Sequence, residues 1–176
     1  MDLRIRIRIR LARPSDAPAI GRLVRRVTWR DILPDQTAAA AAYLLRGMSA
    51  RAERAHIKAG RRYHVAFVEG RLAGVVATRD DRHFFRLFVT RRFQRRGIAR
   101  ALLQAALADC HRRSRTRKFT LHASACAGAA YRRMGFVAAG RLKARGPGAV
   151  AARPMVYRLR GPAASARPAR HRPGHT

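Results

Sequence analysis

Hydrophobic and charged residues alternate strictly at the start of the chain. Leucine or isoleucine occupies positions 3, 5, 7, 9 and 11, and arginine fills the positions between them. Side chains of an extended strand point to opposite faces in turn, so this pattern predicts a strand with one buried and one charged face. Pro14, Ser15 and Asp16 then supply a turn and a helix cap, and apolar residues at helical spacing predict a first helix over roughly residues 16–28.

The rest of the chain switches between helical and extended patterns. The predicted elements are helices over residues 37–46, 50–59, 98–111 and 127–134, strands over 63–68, 72–77, 83–89, 119–123, 136–142 and 154–159, and a turn at 145–148. Their order predicts an α/β (α+β) fold with a mixed central β-sheet of about seven strands and about four flanking helices.

Length and composition limit the possible organisation and location. We expect a single domain over residues 1–160 and a disordered basic tail over 161–176, where Pro, Ala and Arg recur without periodicity. Arginine interrupts every apolar stretch, so neither a membrane span nor a signal peptide is predicted. The two cysteines, Cys110 and Cys126, lack metal-ligand spacing and are too few for a disulfide framework. These features predict a cytoplasmic protein with no metal and no membrane partner.

The formal charge of +31 is the second conspicuous property. Its simplest interpretation is a polyanionic partner such as nucleic acid. Only three of the 40 basic residues are lysines, however, and the apolar residues are rich in alanine, which is the usage of a GC-rich, typically bacterial, genome. The charge therefore indicates genome composition, a dedicated polyanion site, or a positive field that steers an anionic cofactor to its site.

A basic loop with one glycine joins the predicted strand over 83–89 to the helix that begins near Ile98. The first N–H groups of a helix carry partial positive charge, and a glycine beside them lets an anion approach the backbone. The loop can therefore cradle a phosphate. The alternative is that Gly97 only begins a helix and that the neighbouring arginines are solvated.

Four segments of the chain resemble the GNAT family of N-acetyltransferases. The spacing from Gln94 to Ala99, after a strand ending in Val89, resembles the acetyl-CoA pyrophosphate loop of that family. Residues 13–17, residues 154–157 and the segment over 121–136, which ends in Gly-Phe, also resemble it and extend the similarity to about residues 5–160. The resemblance implies the GNAT fold and direct transfer of acetyl from acetyl-CoA to a primary amine of a small molecule or peptide.

The resemblance also implies which residues hold acetyl-CoA. The strand before the loop pairs with the pantetheine arm, the helix start and its arginines bind the phosphates, and an N–H near Val89 stabilises the developing oxyanion. Ser124 stands where many members have an asparagine that binds pantetheine. The cofactor residues implied in this way are Leu87, Phe88, Val89, Gln94, Arg95, Arg96, Gly97, Ile98, Ala99, Arg100 and Ser124.

Two residues are implied in catalysis. Only a neutral amine can attack the thioester, so a general base is expected. Family members often carry a carboxylate six residues before the position of Val89, and this chain has His83 there, an imidazole suited to the task near neutral pH. Alternatively, His83 contacts Asp80 or Asp81, or holds a water. Tyr131 matches the family's tyrosine that protonates the leaving thiolate, with a core-packing role as its alternative.

Departures from the family pattern narrow the hypotheses. Phe119 stands where some protein-acetylating members place a glutamate base, which argues against the ribosomal-protein acetyltransferase subtype. Cys126 lies near the expected thioester, but no cation is clearly placed to ionise it, which disfavours an acyl-cysteine route. Two further hypotheses are a nucleic-acid-binding module and a non-catalytic acyl-CoA binder on the same fold.

The sequence does not identify the acetyl acceptor. The positive charge of the chain should repel polycations, so we expect neither a polyamine nor an aminoglycoside. The expected partners are an amine acceptor, non-specific polyanions and a second copy of the chain in a homodimer.

Overall fold

Seven strands build the central sheet of the protein, whose computed structural model describes residues 6–144 and 149–160. The strands are β1 (Ile7–Leu11), β2 (Arg62–Val68), β3 (Arg71–Arg79), β4 (His83–Val89), β5 (Lys118–Ser124), β6 (Val137–Ala138) and β7 (Ala152–Arg158). They follow the order β1-β2-β3-β4-β5-β7-β6. All neighbours run antiparallel except β4 and β5, which are parallel. This mixed sheet confirms the predicted fold class.

Helices cover both faces of the sheet. They are α1 (Ala17–Asp31), α2 (Ala38–Arg46), α3 (Ala50–Lys58), α4 (Ile98–Ser114) and α5 (Gly128–Arg133). Thr37 and Ser49 cap α2 and α3, because each side-chain oxygen accepts a hydrogen bond from a backbone N–H three residues later. These two caps separate two short helices in a stretch of chain that is rich in alanine.

The alternation of side chains along the central strands creates a core on each face. Val76 of β3 packs with Leu102 of α4 on one face, whereas Val75 packs with Ile20 of α1 on the other. On the second face α1 and α3 approach closely at Gly21, where a Cβ atom would lie 2.9 Å from the backbone nitrogen of Ala50. Only a residue without a side chain fits between the two helices there.

The predicted strand over residues 136–142 was wrong in extent. Phe136 is buried in the core, but the observed strand covers only Val137–Ala138. The next residue, Ala139, lies opposite Pro154 of β7 and donates its N–H to the Pro154 carbonyl. Proline has no N–H, so Pro154 donates no hydrogen bond to Ala139. A proline removes a ladder hydrogen bond, so regular pairing ends there.

Other boundaries shift by a few residues at helix ends. α1 continues to Asp31, and Thr28 at its predicted end is fully buried, with a hydroxyl that donates to the sulfur of Met48. α4 continues to Ser114. The predicted strand residues 3–5, the turn at 145–148 and the tail over 161–176 lie outside the described residues.

β4 and β5 stay together over only two residue pairs. His83 pairs with Thr120 and Phe84 pairs with Leu121, and no later pair follows. On their outer sides β4 remains paired with β3, and β5 remains paired with β7 along its whole length. A gap therefore opens inside the sheet beyond the second pair.

A bulge in β4 lies at the start of this gap. Thr78 of β3 pairs with Phe84, but the preceding residue Ala77 pairs with Arg86, so Phe85 is an extra residue in β4. A bulge bends its strand and disrupts pairing locally. The bend at Phe85 is the local reason why β4 separates from β5.

Candidate active site

A continuous cleft runs from the start of α4 into the gap between β4 and β5. It consists of three adjoining cavities of about 320, 420 and 300 Å³, which we call the outer, middle and inner cavities. The outer and middle cavities share Val89, Gln94, Ala99, Ala130 and Met134. The middle and inner cavities share Ile32, Leu87, Phe88, Ser124, Ala127 and Tyr131.

The loop between β4 and α4 forms the outer cavity. α4 begins at Ile98, with no side chain capping its N-terminus and no acidic residue in its first turn. Gly97 has a φ of +77°, a conformation that favours glycine, and no atom lies within 4 Å of the position a Cβ would take. The helix start thus presents backbone N–H groups to open space, which is the arrangement that binds phosphates in many proteins.

Arginines add positive charge to the outer cavity. Arg95 and Arg100 line it together with Arg133 of α5. Arg100 also donates to the Arg133 carbonyl over 3.0 Å, which ties α4 to α5. Arg96, predicted from the sequence as a cofactor residue, does not line this cavity, and its guanidinium lies 6.0 Å from the ring centroid of Phe93. Sequence reasoning missed Arg133 because only folding brings α5 to the loop.

Gln94 fastens the loop to the end of β4. Its side-chain Nε2 donates to the Val89 carbonyl over 3.1 Å. Gln94 also lines the outer and middle cavities. Gln94, which the sequence predicts as a cofactor contact, therefore also holds the loop against the end of β4.

The edge of β4 opposite β3 faces the gap with its backbone groups. Thr90 donates its N–H to the Ala73 carbonyl over 2.8 Å, and Gly74 pairs with Val89. In an antiparallel ladder this pattern makes Gly74 and Val89 a non-hydrogen-bonded pair. The N–H and C=O of Val89 therefore point away from β3, where the carbonyl accepts from the Gln94 side chain and the N–H faces the gap. The N–H and C=O of Leu87, two residues earlier, also point away from β3.

Tyr131 lies where the middle and inner cavities meet. Its ring packs edge-on against Phe136, with centroids 5.6 Å apart. Burial, with a smaller contribution from Cys126, raises the pKa of Tyr131 to about 12. Its phenol therefore stays protonated at neutral pH and can donate a hydrogen bond or a proton. Ser124 is nearby, with its hydroxyl 3.2 Å from the Cys126 sulfur.

Two histidines lie side by side where β4 and β5 separate. His83 has its Nδ1 2.9 Å from the Thr120 hydroxyl, and its ring centroid lies 5.2 Å from that of His122. His122 follows the last residue pair of the two strands and lines the inner cavity, whereas His83 lines none of the three cavities. Sequence reasoning missed His122, although it alternates with Thr120 and Ser124 on one face of β5.

A buried carboxylate supports the wall of the inner cavity. Glu53 of α3 is fully buried, accepts from the Tyr63 hydroxyl, and accepts from the Arg86 Nε over 3.2 Å. Arg86 also donates to the Gly47 carbonyl over 2.7 Å. Burial and the charge of Glu53 raise the pKa of Tyr63 above its usual range. This cluster joins α3 to β2 and β4, and no local pattern in the sequence indicates it.

The described part of the chain contains neither a metal-binding cluster nor a membrane-spanning helix. No group of three or more His, Cys, Asp or Glu side chains there could hold a metal ion. No helix there is both long and apolar enough to cross a membrane.

Comparison with known proteins places these features in a family. Residues 32–157 match the family model described as an acetyltransferase (GNAT) domain. No curated protein matches the sequence significantly.

Solved structures share the fold at low sequence identity. A GCN5-related N-acetyltransferase from Rhodopseudomonas palustris is 20% identical with a TM-score of 0.73, covering 86% of this chain and 95% of its own. The PaiA N-acetyltransferase from Thermoplasma acidophilum, in complex with coenzyme A, is 14% identical with a TM-score of 0.68, covering 88% and 100%. YncA from Salmonella typhimurium, a putative acetyltransferase with acetyl-CoA, is 20% identical with a TM-score of 0.61, covering 90% and 97%. The family match and the shared fold show that this chain belongs to the GNAT family of acetyltransferases.

Proposed function

We propose that this protein transfers the acetyl group of acetyl-CoA directly to a primary amine. The observation that carries the proposal is the continuous cleft, which leads from the uncapped start of α4, past the open edge of β4, to Tyr131. Each stretch of this cleft has the chemistry that one part of acetyl-CoA requires.

The residues of the outer and middle cavities fit the coenzyme. The N–H groups at the start of α4, with Arg95, Arg100 and Arg133, suit the pyrophosphate. The Val89 N–H and the backbone groups of Leu87 point away from β3 and suit the amides of the pantetheine arm, which can pair with an open strand edge. Acetyl-CoA supplies the activated acetyl group as a thioester.

Backbone and side-chain groups near Tyr131 serve the transfer itself. The Val89 N–H faces the gap and stabilises the negative charge that develops on the thioester oxygen. Tyr131 gives its proton to the departing thiolate, and its raised pKa keeps that proton in place beforehand. An imidazole at the separation of β4 and β5 removes the proton of the ammonium. His83, predicted from the sequence, has His122 beside it. Alignment of the two substrates in one cleft supplies much of the remaining acceleration.

The test measures turnover of acetyl-CoA with a panel of primary amines. Release of free coenzyme A thiol is the signal that reports the turnover. Tyr131→Phe should lower kcat by about 10²- to 10⁴-fold, the usual size of an acid–base contribution. Acetyl-CoA binding, measured by calorimetry, should change little. Tyr157→Phe is the matched control because Tyr157 packs against the same residue, Phe136, at 5.3 Å.

Other outcomes identify the alternatives. Acetyl-CoA binding without thiol release from any amine would indicate a non-catalytic acyl-CoA binder. If the protein does not bind acetyl-CoA but binds nucleic acid with an affinity that falls steeply with salt, it is a nucleic-acid-binding module. Non-specific polyanion binding stays a prediction and is tested by the same salt titration.

A further inference from the structure

The inner cavity has mainly apolar walls contributed by five parts of the fold. The end of α1, the α2–α3 region, β4, the start of α5 and the residues that lead into β7 all contribute. Apolar side chains from these parts include Ile32, Leu44, Met48, Phe85, Ala127 and Val150. A volume of about 300 Å³ suits a compact side chain or a short hydrocarbon body.

Among its described lining residues, none carries a carboxylate. The one guanidinium, that of Arg86, is already engaged: its Nε binds Glu53, its Nη1 donates to the Phe85 carbonyl over 3.3 Å, and its Nη2 donates to Gly47. A second ammonium on the acceptor would therefore meet no counter-charge here. An acceptor carboxylate would meet a guanidinium that Glu53 already neutralises.

His122 is the group of the cavity lining that can accept a proton near neutral pH. The other titratable side chains of the described lining are Arg86 and the phenols Tyr43 and Tyr131. A guanidinium and a phenol both keep their protons at neutral pH, whereas an imidazole exchanges its proton there. His122 is also exposed and follows the last β4–β5 pair, so its ring stands at the edge of the gap.

We propose that the acceptor is a primary amine on an uncharged, apolar body, held in the inner cavity and deprotonated by His122. This inference rests on the proposed acetyl transfer and adds the substrate class and the base. His122 takes one proton from the ammonium. As the C–N bond forms and the C–S bond breaks, Tyr131 gives its proton to the departing sulfur and recovers one from the amide nitrogen. His122 then releases its proton to solvent.

Three amines of equal chain length test the substrate class. Hexylamine has an apolar end, hexamethylenediamine carries a second ammonium, and ε-aminocaproate carries a carboxylate. We expect kcat/KM for hexylamine to exceed that of each charged analogue by at least about tenfold. An equal or higher kcat/KM for either charged analogue would overturn the proposed substrate class while leaving acetyl transfer intact. The absence of thiol release with all three amines and with every amine of the wider panel would instead contradict the proposed function.

A pair of amines that differ in basicity tests His122. Hexylamine is protonated at neutral pH, whereas trifluoroethylamine is largely neutral and needs no base to expose its lone pair. We expect His122→Gln to lower kcat with hexylamine by about 10²- to 10⁴-fold and to leave kcat with trifluoroethylamine nearly unchanged. His111→Gln, on α4 and bonded to the Thr116 carbonyl, is the control that should change neither rate.

Two results would overturn the assignment of His122. An equal loss with both amines would show that the residue supports the fold or the binding of substrate but does not accept the proton. A selective loss in His83→Gln but not in His122→Gln would assign the base to His83. Thermal melts of each variant separate these outcomes from unfolding.

Discussion

Glu53 is fully buried, yet a residue in the wall of the inner cavity depends on it. Its carboxylate is held by Tyr63 from β2 and Arg86 from β4, and Arg86 in turn forms part of the inner cavity wall. An ion pair removed from water adds little net stability, but loss of one partner leaves the other charge uncompensated. The pair therefore determines where Arg86 lies in the cavity.

Neutralising this carboxylate should destabilise the fold. We expect Glu53→Gln to lower the free energy of unfolding by about 3 kcal/mol, because Arg86 then keeps a largely buried charge without a partner. Urea denaturation at neutral pH measures the change. Glu69→Gln makes the same substitution in the exposed turn between β2 and β3 and should cost less than about 0.5 kcal/mol. A similar loss in both variants would mean that Glu53 contributes no more than a surface charge.

At the scale of elements, the loop between β4 and α4 combines a left-handed glycine with an uncapped helix. Gly70, between β2 and β3, provides a natural comparison. Its φ is +73° against +77° for Gly97, and no atom lies within 4 Å of a Cβ placed at either position. The two glycines share the same backbone requirement and differ in what lies nearby.

Alanine at each position should separate folding from coenzyme binding. Both Gly97→Ala and Gly70→Ala should lower stability by about 1 kcal/mol, because an L side chain is strained in this conformation. Only Gly97→Ala should raise the KM for acetyl-CoA several-fold, since its methyl group occupies the space beside the helix start. An unchanged KM would mean that the phosphates do not approach this backbone, and the same rise in Gly70→Ala would mean that the effect is global.

Local patterns were enough to predict most of the elements, and long-range contacts explain the remainder. The alternation in β1 and the apolar spacing in α4 persist over many residues, so both elements were predicted correctly apart from their ends. The short β6 was overpredicted because its length depends on Pro154 of a different strand. For the same reason the loop around Gly97 could be found from its own residues, whereas Arg133 and His122 come to the cleft only through folding.

At the scale of the whole molecule, buried histidines make stability depend on pH. His64 is 6% exposed, and burial lowers its pKa from 6.5, with Arg62 and Arg112 acting in the same direction and Asp109 opposing them. The folded protein therefore holds His64 neutral at a pH where the unfolded chain already binds a proton. Because the unfolded state then binds more protons, stability falls as the pH drops below about 6.5. Burial shifts the pKa of His56 in the same direction.

This linkage predicts a specific pH profile of unfolding. The free energy of unfolding should be nearly constant above about pH 7 and should decrease from about pH 6.5 to 5. His64→Gln should flatten this decrease, whatever its effect on stability at neutral pH, while His111→Gln should preserve it. Urea denaturation across this pH range gives the slopes. A slope in His64→Gln equal to that of the wild type would assign the pH dependence to other groups.

The two residue pairs that join β4 to β5 have a consequence for the dynamics of the free protein. They are the only ladder hydrogen-bonding region between a half-sheet of β1 to β4 and a half-sheet of β5 to β7 within the described chain. We expect the amides at this seam to exchange with deuterated water faster than those of the long β2–β3 ladder, because a short ladder opens at low cost. A pantetheine arm in the gap would bridge the half-sheets like an inserted strand and slow that exchange.

Ligand binding would then stabilise the whole fold, by about 2.7 kcal/mol at a concentration one hundred times the Kd. A shortage of acetyl-CoA would accordingly leave the protein easier to unfold and to digest, so its lifetime would follow the supply of its own acetyl donor.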